Sequence, residues 1–505
     1  MEAIDEFKQD VRDGRIDVDR LIDVITTLQR QLEAAQQQLH AAQQRIEDLE
    51  KKLGGPTTTK CDQPFSMRAE EKRQEKRGKK KRPRSKKGCR GRLSSADKIK
   101  LAERTEQCFP EGLLPQDCFL SHTRPVWRLE NGRAVLIAYE IYRGPKNQYG
   151  KIPGMLGRSE FGLEIVVEIA YLVYVIGLSF DKVCQILEFM HHLRLSKAQT
   201  DGLLRQLSRC WQREFDVLCT LLANSLVVHT DETGWSLNSV WAFLSEKARV
   251  LLFGVHKDAQ TLRQILDPEA FRGLLLSDDA AVYANFSQAQ KCWAHLLRKA
   301  IKLTLLDPDN LEYRLFTDQL LEIYREACRV QRDARLSAAG RERKVEVLEK
   351  EIIELCAEMW ASDSKPLEGA ANDYRLLVNE VMRLMMDQQL FTFVTAKEAT
   401  QPNGKSQPVA GTNNEAERTL RGAATARKTG RTNKTLVGAR RQTIIVSVLE
   451  SLRLYLPKFT LAGVIEEINR WWQTGESCFA RLLKRMKLRR SGESILNKLI
   501  PVPDG

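Results

Sequence analysis

The chain has 505 residues, 42% of them hydrophobic, which is ordinary for a folded protein of two to four domains. A formal net charge of +14 favours a polyanionic partner, and nucleic acid is a better candidate than an anionic membrane surface. The acidic N-terminus and the absence of a long apolar stretch argue against a secretory signal and a membrane span, so a cytoplasmic location is expected.

The first predicted element is a coiled coil over residues 1–55. Apolar residues recur at heptad spacing from Leu21 to Leu53, and most other positions are polar or charged. A stripe of this length is typical of self-association, so it predicts a homo-oligomer, a dimer through residues 21–53. The alternative is a single amphipathic helix packed on its own domain.

A basic linker follows at residues 56–92. Between Lys76 and Arg92 there are eleven Lys or Arg and no acid. Such a segment cannot bury apolar surface and is expected to be disordered when free, contacting phosphates without sequence choice. The alternative is a solvated tail. The residues expected to contact DNA here are Lys79, Lys80, Lys81, Arg82, Arg84, Lys86 and Lys87.

Residues 93–157 read as a small irregular module with turn signals, and residues 158–224 as helical. In the first segment Cys108, Cys118 and His122 could be ligands of a degenerate metal site, or the thiols could simply be buried. In the second, two helices with Ser196 as an N-cap could form a helix-turn-helix, or could pack as an ordinary helical pair.

Strand patterns begin at residue 225. An apolar run over residues 225–230 ends at Asp231, and a second run over 274–276 is followed by Asp278. With two hairpin strands, a helix and a further strand at 291–294, the pattern predicts a mixed sheet with helices. A helical insertion is expected at residues 306–405, and a C-terminal helical tail at 456–505.

A third acid, Glu417, lies early in a predicted basic helix. Its rival Glu415 fits a capping box with Thr412, which would give Glu415 a structural role. Arginines beside a metal ligand suit a DNA strand passing the site, although a solvated helix face is the alternative. The basic residues singled out here are Arg418, Arg421, Arg427, Lys428 and Arg431.

Three acids on such platforms can converge to hold two Mg²⁺ ions, with Mn²⁺ as a substitute. Such a pair supports in-line cleavage and joining of phosphodiester bonds. Two neighbouring acids compete for these roles. Strand alternation sends Glu232 to the opposite face from Asp231, and Asp279 begins the turn after the second strand.

Three further side chains near the acids could take part in the chemistry. Trp235 could stack on a DNA end or a flipped base, although such a residue is more often core. His229 and His295 could shuttle protons or contact phosphate, and as lone histidines they are more often structural.

At these residues the chain resembles a DDE transposase of bacterial insertion sequences, most closely the insertion-sequence-sixty-six type. The matching stretches are residues 229–235, 277–283, 292–299 and 412–421, followed by Arg427 and Lys428. The resemblance implies an α/β ribonuclease-H-like catalytic core over residues 225–305 and 406–455. It assigns Asp231, Asp278 and Glu417 as the acidic triad, and it also implies the coiled coil and the basic linker.

The resemblance further implies a nucleoid-associated transposase that cuts at the inverted-repeat ends of its element and joins them to target DNA. Accessory proteins of the element could be further partners. A catalytically inactive DNA-binding regulator and a stand-alone ribonuclease-H-like nuclease are the alternatives. One departure concerns the zinc module that the family usually carries ahead of the core. This chain has only the single cysteines Cys108 and Cys118 there, which leaves the module's role in DNA-end recognition open.

Overall fold

The structure is a computed structural model that describes nine residues between 26 and 37, and residues 93–360, 368–489 and 493–501. The chain divides into two compact units, Met1–Ser85 and Lys86–Gly505. In the first unit the nine described residues are helical, and Leu32 is 60% exposed. Most of the predicted coiled coil, and all of the basic run Lys79–Lys87, lie outside the described residues.

Residues 93–157 contain a three-stranded sheet, so the expectation of an irregular module is wrong. The elements are α1 (Ser95–Lys100), β1 (Arg104–Cys108), β2 (Phe119–Glu130) and β3 (Arg133–Arg143). Strand β3 is central, parallel to β1 and antiparallel to β2. Asn131 and Gly132 both have positive φ, which is the geometry of a tight hairpin turn.

Three helices follow in the segment that the sequence predicts to be helical. They are α2 (Leu163–Ala170), α3 (Phe180–His191) and α4 (Lys197–Ala223). The Ser196 side chain accepts a hydrogen bond from the backbone N–H of Gln199, which confirms the predicted cap. Along α4, Leu207 and Phe215 are fully buried in the same core as strand residues Val250 and Leu252. The second helix of the possible helix-turn-helix is therefore buried in the core that includes the main sheet, where it contacts several other helices as well as two strands of the sheet.

The main sheet has five strands in a mixed arrangement. They are β4 (Val227–Gly234), β5 (Ser239–Ser245), β6 (Arg249–Val255), β7 (Leu274–Ser277) and β8 (Ala289–Lys291), with α5 (Ala259–Ile265) between β6 and β7. The spatial order is β6-β5-β4-β7-β8. Strands β4, β5 and β6 are antiparallel neighbours, while β4, β7 and β8 are parallel. The mixed α/β prediction is confirmed, and the order is compatible with a ribonuclease-H-like core.

Two predicted boundaries in this region are wrong. The strand expected at residues 291–294 ends at Lys291, and α6 (Trp293–Leu306) begins where the strand was expected to continue. Strand β4 does not end before Asp231 but continues to Gly234, because β5 pairs with it along its whole second half.

Helices fill the segment between α6 and the return to the sheet. They are α7 (Leu311–Arg332), α8 (Ala338–Trp360), α9 (Gly369–Met386) and α10 (Thr392–Thr395). Together with α6 they form a separate hydrophobic core around residues such as Leu320, Ile352 and Val381. A short hairpin, β9 (Ala399–Thr400) and β10 (Ser406–Gln407), leads back to the sheet.

Among the residues that the structure describes, the C-terminal part contains five helices, one of which covers the edge of the main sheet. They are α11 (Asn414–Lys428), α12 (Leu436–Tyr455), α13 (Leu461–Thr474), α14 (Cys478–Arg485) and α15 (Ile495–Leu499). On α12, the hydroxyls of Thr443, Ser447 and Ser451 accept hydrogen bonds of 2.9–3.0 Å from three alternate backbone N–H groups of β6. Four helical residues rise about as far as two strand residues, so the hydroxyls match the strand repeat and occupy an otherwise unpaired edge.

Within the described ranges, no helix has the length and apolar character needed to span a membrane.

Candidate active site

Asp231 lies in the C-terminal half of β4, and Asp278 directly follows the C-terminal end of β7, the neighbouring strand in the main sheet. Strands β4 and β7 run parallel, with His229 opposite Leu276. Continued past these last paired residues, the same register would place Asp231, later in β4, beside Asp278, which directly follows β7, at the strand spacing of about 4.8 Å. Residues an even number apart share a face of the sheet, so the register brings these two carboxylates together.

Glu417 reaches the same place from the first turn of α11, and three hydrogen bonds fix the start of that helix. The buried Asn413 side chain donates to the Thr230 carbonyl at 2.7 Å, next to Asp231. The Asn413 backbone N–H donates to Cys292 Sγ at 3.1 Å, and the Trp293 N–H donates to the Gly411 carbonyl at 3.0 Å. The loop before α11 is thereby tied to both β4 and α6.

The helix is also packed on the sheet face that carries Asp231. Leu420 and Ala423 of α11 share a core cluster with Val240 and Ala242 of β5, and Ala242 is the cross-strand partner of Asp231. Asp231 therefore faces α11, from which Glu417 projects.

The electrostatics of Asp231 are consistent with nearby acids. The pKa of this carboxyl is raised to about 7, mainly by burial and then by the charges of Glu232, Asp278 and Glu417, against one hydrogen bond from the Glu232 backbone N–H. Like charges disfavour ionisation only when they are close. All three predicted acids therefore share one electrostatic environment.

The rival acids are committed to other partners. Glu232 points to the opposite face, where it accepts from the Tyr283 hydroxyl and pairs with Lys257. Asp279 pairs with Arg383. These contacts leave Asp278 as the acid of its pair that turns towards Asp231, and its Oδ1 also accepts from the Ala280 N–H at 3.1 Å.

The capping role expected for Glu415 is wrong. Helix α11 has Asn413 as its N-cap, without a side-chain capping bond, and Glu415 instead accepts from Arg249 at 2.7 Å. The physical reason is that the Gly411 carbonyl and the Asn413 backbone and side chain are held by the contacts with β4 and α6, so the box geometry is not formed.

Arg298 is a site residue that the sequence did not single out. Its Nη2 donates to Glu417 Oε1 at 2.6 Å, and His295 Nε2 lies 3.7 Å from the same oxygen. Cys292, His295 and Arg298 follow at intervals of three along the start of α6, which places them on one helical face. That spacing is the only sequence signal, since Glu417 is more than a hundred residues away.

His295 is half-exposed and held as a weak base. Burial lowers its pKa, and the Arg298 charge lowers it further, against the opposing effects of Glu417 and Asp278. Within the described ranges, Cys292, His295 and Glu417 form one group whose ligand atoms all lie within 4.8 Å of one another. Within the described residues the three carboxylates do not form such a group, and Glu417 is instead paired with Arg298.

The donor set fits hard divalent cations. Carboxylate oxygens are the ligands that Mg²⁺ and Mn²⁺ prefer, and a few suffice because Mg²⁺ keeps several waters. The raised pKa of Asp231 reflects the cost of gathering like charges in a partly buried place, which bound cations would relieve.

The described part of the predicted DNA-binding set is exposed. Arg418, Arg421, Arg427, Lys428 and Arg431 all lie at the surface on or just after α11. Two of them also fix local structure, because Arg427 donates to the Gly234 carbonyl at 2.8 Å and Arg431 to the Gly177 carbonyl at 3.0 Å.

Trp235 is not placed to stack on DNA. It is 7% exposed, packs edge-on against Phe253, and donates its indole N–H to Asn433 at 3.1 Å. Its adjacency to Asp231 in sequence does not bring it to the surface, because the residues after Gly234 turn into the core under α11.

The remaining candidate residues, two cysteines and one histidine, are largely enclosed by the protein. Cys108 and Cys118 are buried free thiols, and within the described ranges they belong to no group of ligand atoms close enough to hold a metal. His229 is largely enclosed, and burial lowers its pKa, with its Nδ1 lacking a partner.

Comparison with known proteins adds one finding. The sequence model of the family described as "Transposase IS66 family" matches residues 158–441, more than half of the chain. The match begins at the helices before the main sheet and includes all three carboxylates. A comparison with curated proteins gives no match.

Proposed function

The chain belongs to the IS66 family of transposases, and we propose that it cleaves DNA at the inverted-repeat ends of its own insertion sequence and joins the freed 3′-hydroxyl ends to target DNA. The observation that supports this proposal is that Asp278, directly after the parallel neighbour strand β7, and Glu417, on α11, both lie close enough to Asp231 to affect its ionisation. Cleavage and joining are both in-line attacks on phosphorus, so one site serves both.

Each carboxylate has a defined task in this proposal. Divalent cations would be held by Asp231, on the central strand β4, and by Asp278, directly after its parallel neighbour β7. Glu417 would complete the set from α11. When bound, a pair of Mg²⁺ ions lowers the pKa of the attacking water or hydroxyl and stabilises the leaving oxygen. Arg298 neutralises Glu417 until the site is loaded and can then contact phosphate.

The DNA would be held by positive charge outside the pocket. The exposed basic residues of α11 lie on the helix that carries Glu417, which suits backbone contacts next to the cleaved bond. The basic run Lys79–Lys87 would add contacts without sequence choice. Two DNA ends must be held together, which fits a dimer through residues 21–53.

The test uses the full-length protein and a labelled duplex carrying the terminal repeats that flank its reading frame. Asp231→Asn, Asp278→Asn and Glu417→Gln should each lower Mg²⁺-dependent end cleavage by a hundredfold or more, roughly the contribution of a main electrostatic group. Asp279→Asn and Glu415→Gln are matched controls of the same chemistry, since both acids are engaged in ion pairs elsewhere. Equal activity of the triad variants and these controls would refute the assignment.

The same assay separates the alternatives. Products in which the labelled end is covalently joined to a second duplex identify a transposase, whereas cleavage without joining would identify a stand-alone nuclease. Binding without either product in any divalent cation would identify an inactive regulator.

A further inference from the structure

A second polar cluster lies beside the triad on the opposite face of β4. The Glu232 side chain is 1% exposed, and its two oxygens have different partners. One accepts from the hydroxyl of Tyr283, a residue with 1% exposure, and the other lies 2.7 Å from Lys257 Nζ. Burial and the Glu232 charge raise the pKa of Tyr283, so this hydroxyl remains a donor.

The sheet topology brings Lys257 to the same edge as the triad. Strand β6 runs parallel to β4, because both are antiparallel to β5. The C-terminal ends of β4, β6 and β7 therefore lie at the same end of the sheet. Lys257 follows β6 by two residues. The hydrogen bond that Lys257 donates to Glu232 raises the pKa of Lys257 against the effect of burial, and the charges of Glu232, Asp278 and Asp231 raise it further.

The cluster is rigid at one end and open at the other. The Tyr283 ring packs edge-on against Trp241, which is fully buried. Lys257 is 58% exposed in its side chain, although its ammonium is held by a carboxylate that water hardly reaches. An ammonium has three donors, and Glu232 uses one of them, so the others remain for a ligand.

The other cations beside the triad differ from Lys257. Arg298 binds Glu417 directly, and Lys291 is 3% exposed and donates to the Asp278 carbonyl at 3.0 Å. Lys257 binds no member of the triad, yet lies within electrostatic reach of two of them. It is therefore a fixed positive charge at the rim of an acidic pocket.

We propose that Lys257 binds a backbone phosphate of the DNA strand that enters the active site, and that Glu232 and Tyr283 are positioning residues that hold its ammonium there. This inference rests on the proposed function, because the ligand is the DNA backbone close to the bond that the triad cleaves. A phosphate approaching three carboxylates is repelled, and a cation fixed at the rim offsets that repulsion without displacing a ligand of the triad.

The experiment combines protein variants with DNA in which single phosphates near the cleavage site are replaced by neutral methylphosphonates. Wild type should lose about ten- to hundredfold in cleavage rate at one position, the range for one hydrogen bond to a charged group. Lys257→Ala should be similarly slow on unmodified DNA and show no further loss at that position. Lys257→Arg should restore part of the rate, and Glu232→Gln should weaken the same phosphate dependence.

Lys484→Ala is the control, because it removes another exposed lysine that is paired with a glutamate, here Glu476 at 3.2 Å in the C-terminal helices. It should behave like wild type. A second readout needs no cleavage: Lys257→Ala should reduce the slope of log affinity against log salt for the terminal duplex by about one.

Two outcomes would overturn the inference. The first is that Lys257→Ala keeps the wild-type salt slope and full sensitivity at every modified phosphate. The second is that Glu232→Gln abolishes cleavage while Lys257→Ala has no effect, which would make Glu232 a metal ligand. If wild type cleaves no DNA, the proposed function fails, and the salt slope still decides whether Lys257 binds phosphate.

Discussion

Replacing Asp231 by Asn should make the protein more stable when divalent cations are removed. The pKa of this carboxyl is raised from 3.8 to about 7, mainly by burial and then by Glu232, Asp278 and Glu417. Holding it ionised above that pKa costs at most about 4 kcal/mol of folding free energy. Because water still reaches the pocket, we expect Asp231→Asn to gain between about 2 and 4 kcal/mol near pH 8.

The sign follows from the direction of the shift. A carboxyl with a raised folded pKa destabilises the folded protein increasingly as pH rises from its unfolded pKa to its folded pKa, and fully above it. The gain should therefore shrink to about 1 kcal/mol near pH 4.5. Asn keeps the acceptor for the Glu232 backbone N–H, so the change removes charge rather than the local hydrogen bond.

The assay is urea unfolding of the wild type and variants, in chelator and in Mg²⁺. Mg²⁺ should stabilise wild type and remove most of its disadvantage, because a ligand that binds only the folded state adds stability. Asp279→Asn is the control, since its carboxylate is paired with Arg383, and it should show no gain. Equal stability of wild type and Asp231→Asn in chelator near pH 8 would refute the account of a crowded acidic pocket.

Three further changes test how the fold supports the site. Asn413→Ala removes the side-chain hydrogen bond that fixes the start of α11 and should lower end cleavage about a hundredfold by displacing Glu417. Asn414→Ala, which changes an exposed neighbour, should leave the rate unchanged, and equal rates of the two variants in a single-turnover assay would contradict this. Ser447→Ala leaves the Leu251 N–H on the covered edge without a partner and should cost about 1–3 kcal/mol in urea unfolding, and an unchanged midpoint would show that the hydroxyl is dispensable. Burial lowers the pKa of His191, but its hydrogen bonds to a backbone carbonyl and a glutamate outweigh burial and leave the pKa raised. His191 therefore stabilises the fold below about pH 6.5, and this contribution disappears as pH rises through the raised pKa. His191→Gln should flatten this pH dependence of stability, and parallel pH profiles of the variant and wild type would contradict the linkage.

The two aspartates could be predicted because their signals are local. A buried strand is visible as an apolar, β-branched run, and the residue directly after the run lies in the continuation of the strand, as Asp231 does within β4, or just beyond it, as Asp278 does after β7. Alternation also placed Glu232 on the opposite face, where the structure shows it with Tyr283. The parallel register of β4 and β7, which makes Asp231 and Asp278 neighbours, depends on the chain between them and is set by tertiary structure.

The partners of the acids could not be predicted in the same way. Arg298 and Glu417 form an ion pair although the helical insertion separates them in sequence. Arginine and glutamate are common at protein surfaces, so the sequence does not indicate which arginine pairs with which glutamate. The capping box at Thr412 failed because loop contacts with Cys292 and Thr230 compete with a local motif. A local rule is overridden where a tertiary contact satisfies the same backbone groups.

The three-stranded sheet of residues 93–157 was missed for a different reason. Strand β3 is buried on both faces over most of its length, so it lacks the alternation by which a half-exposed strand is recognised. Half of the residues of strand β2 are polar and the strand contains Pro125, which lowers its apparent strand character. Only the Asn131–Gly132 turn gave a usable signal, and it marks the hairpin correctly.

The most direct test of the shared carboxylate site is the position of bound Mn²⁺, located by its anomalous scattering in crystals of the full-length protein. We expect density between Asp231, Asp278 and Glu417, with Arg298 moved away from Glu417. Mn²⁺ found only beside Cys292 and His295, or remote from all three carboxylates, would contradict the proposal that these acids form the metal centre.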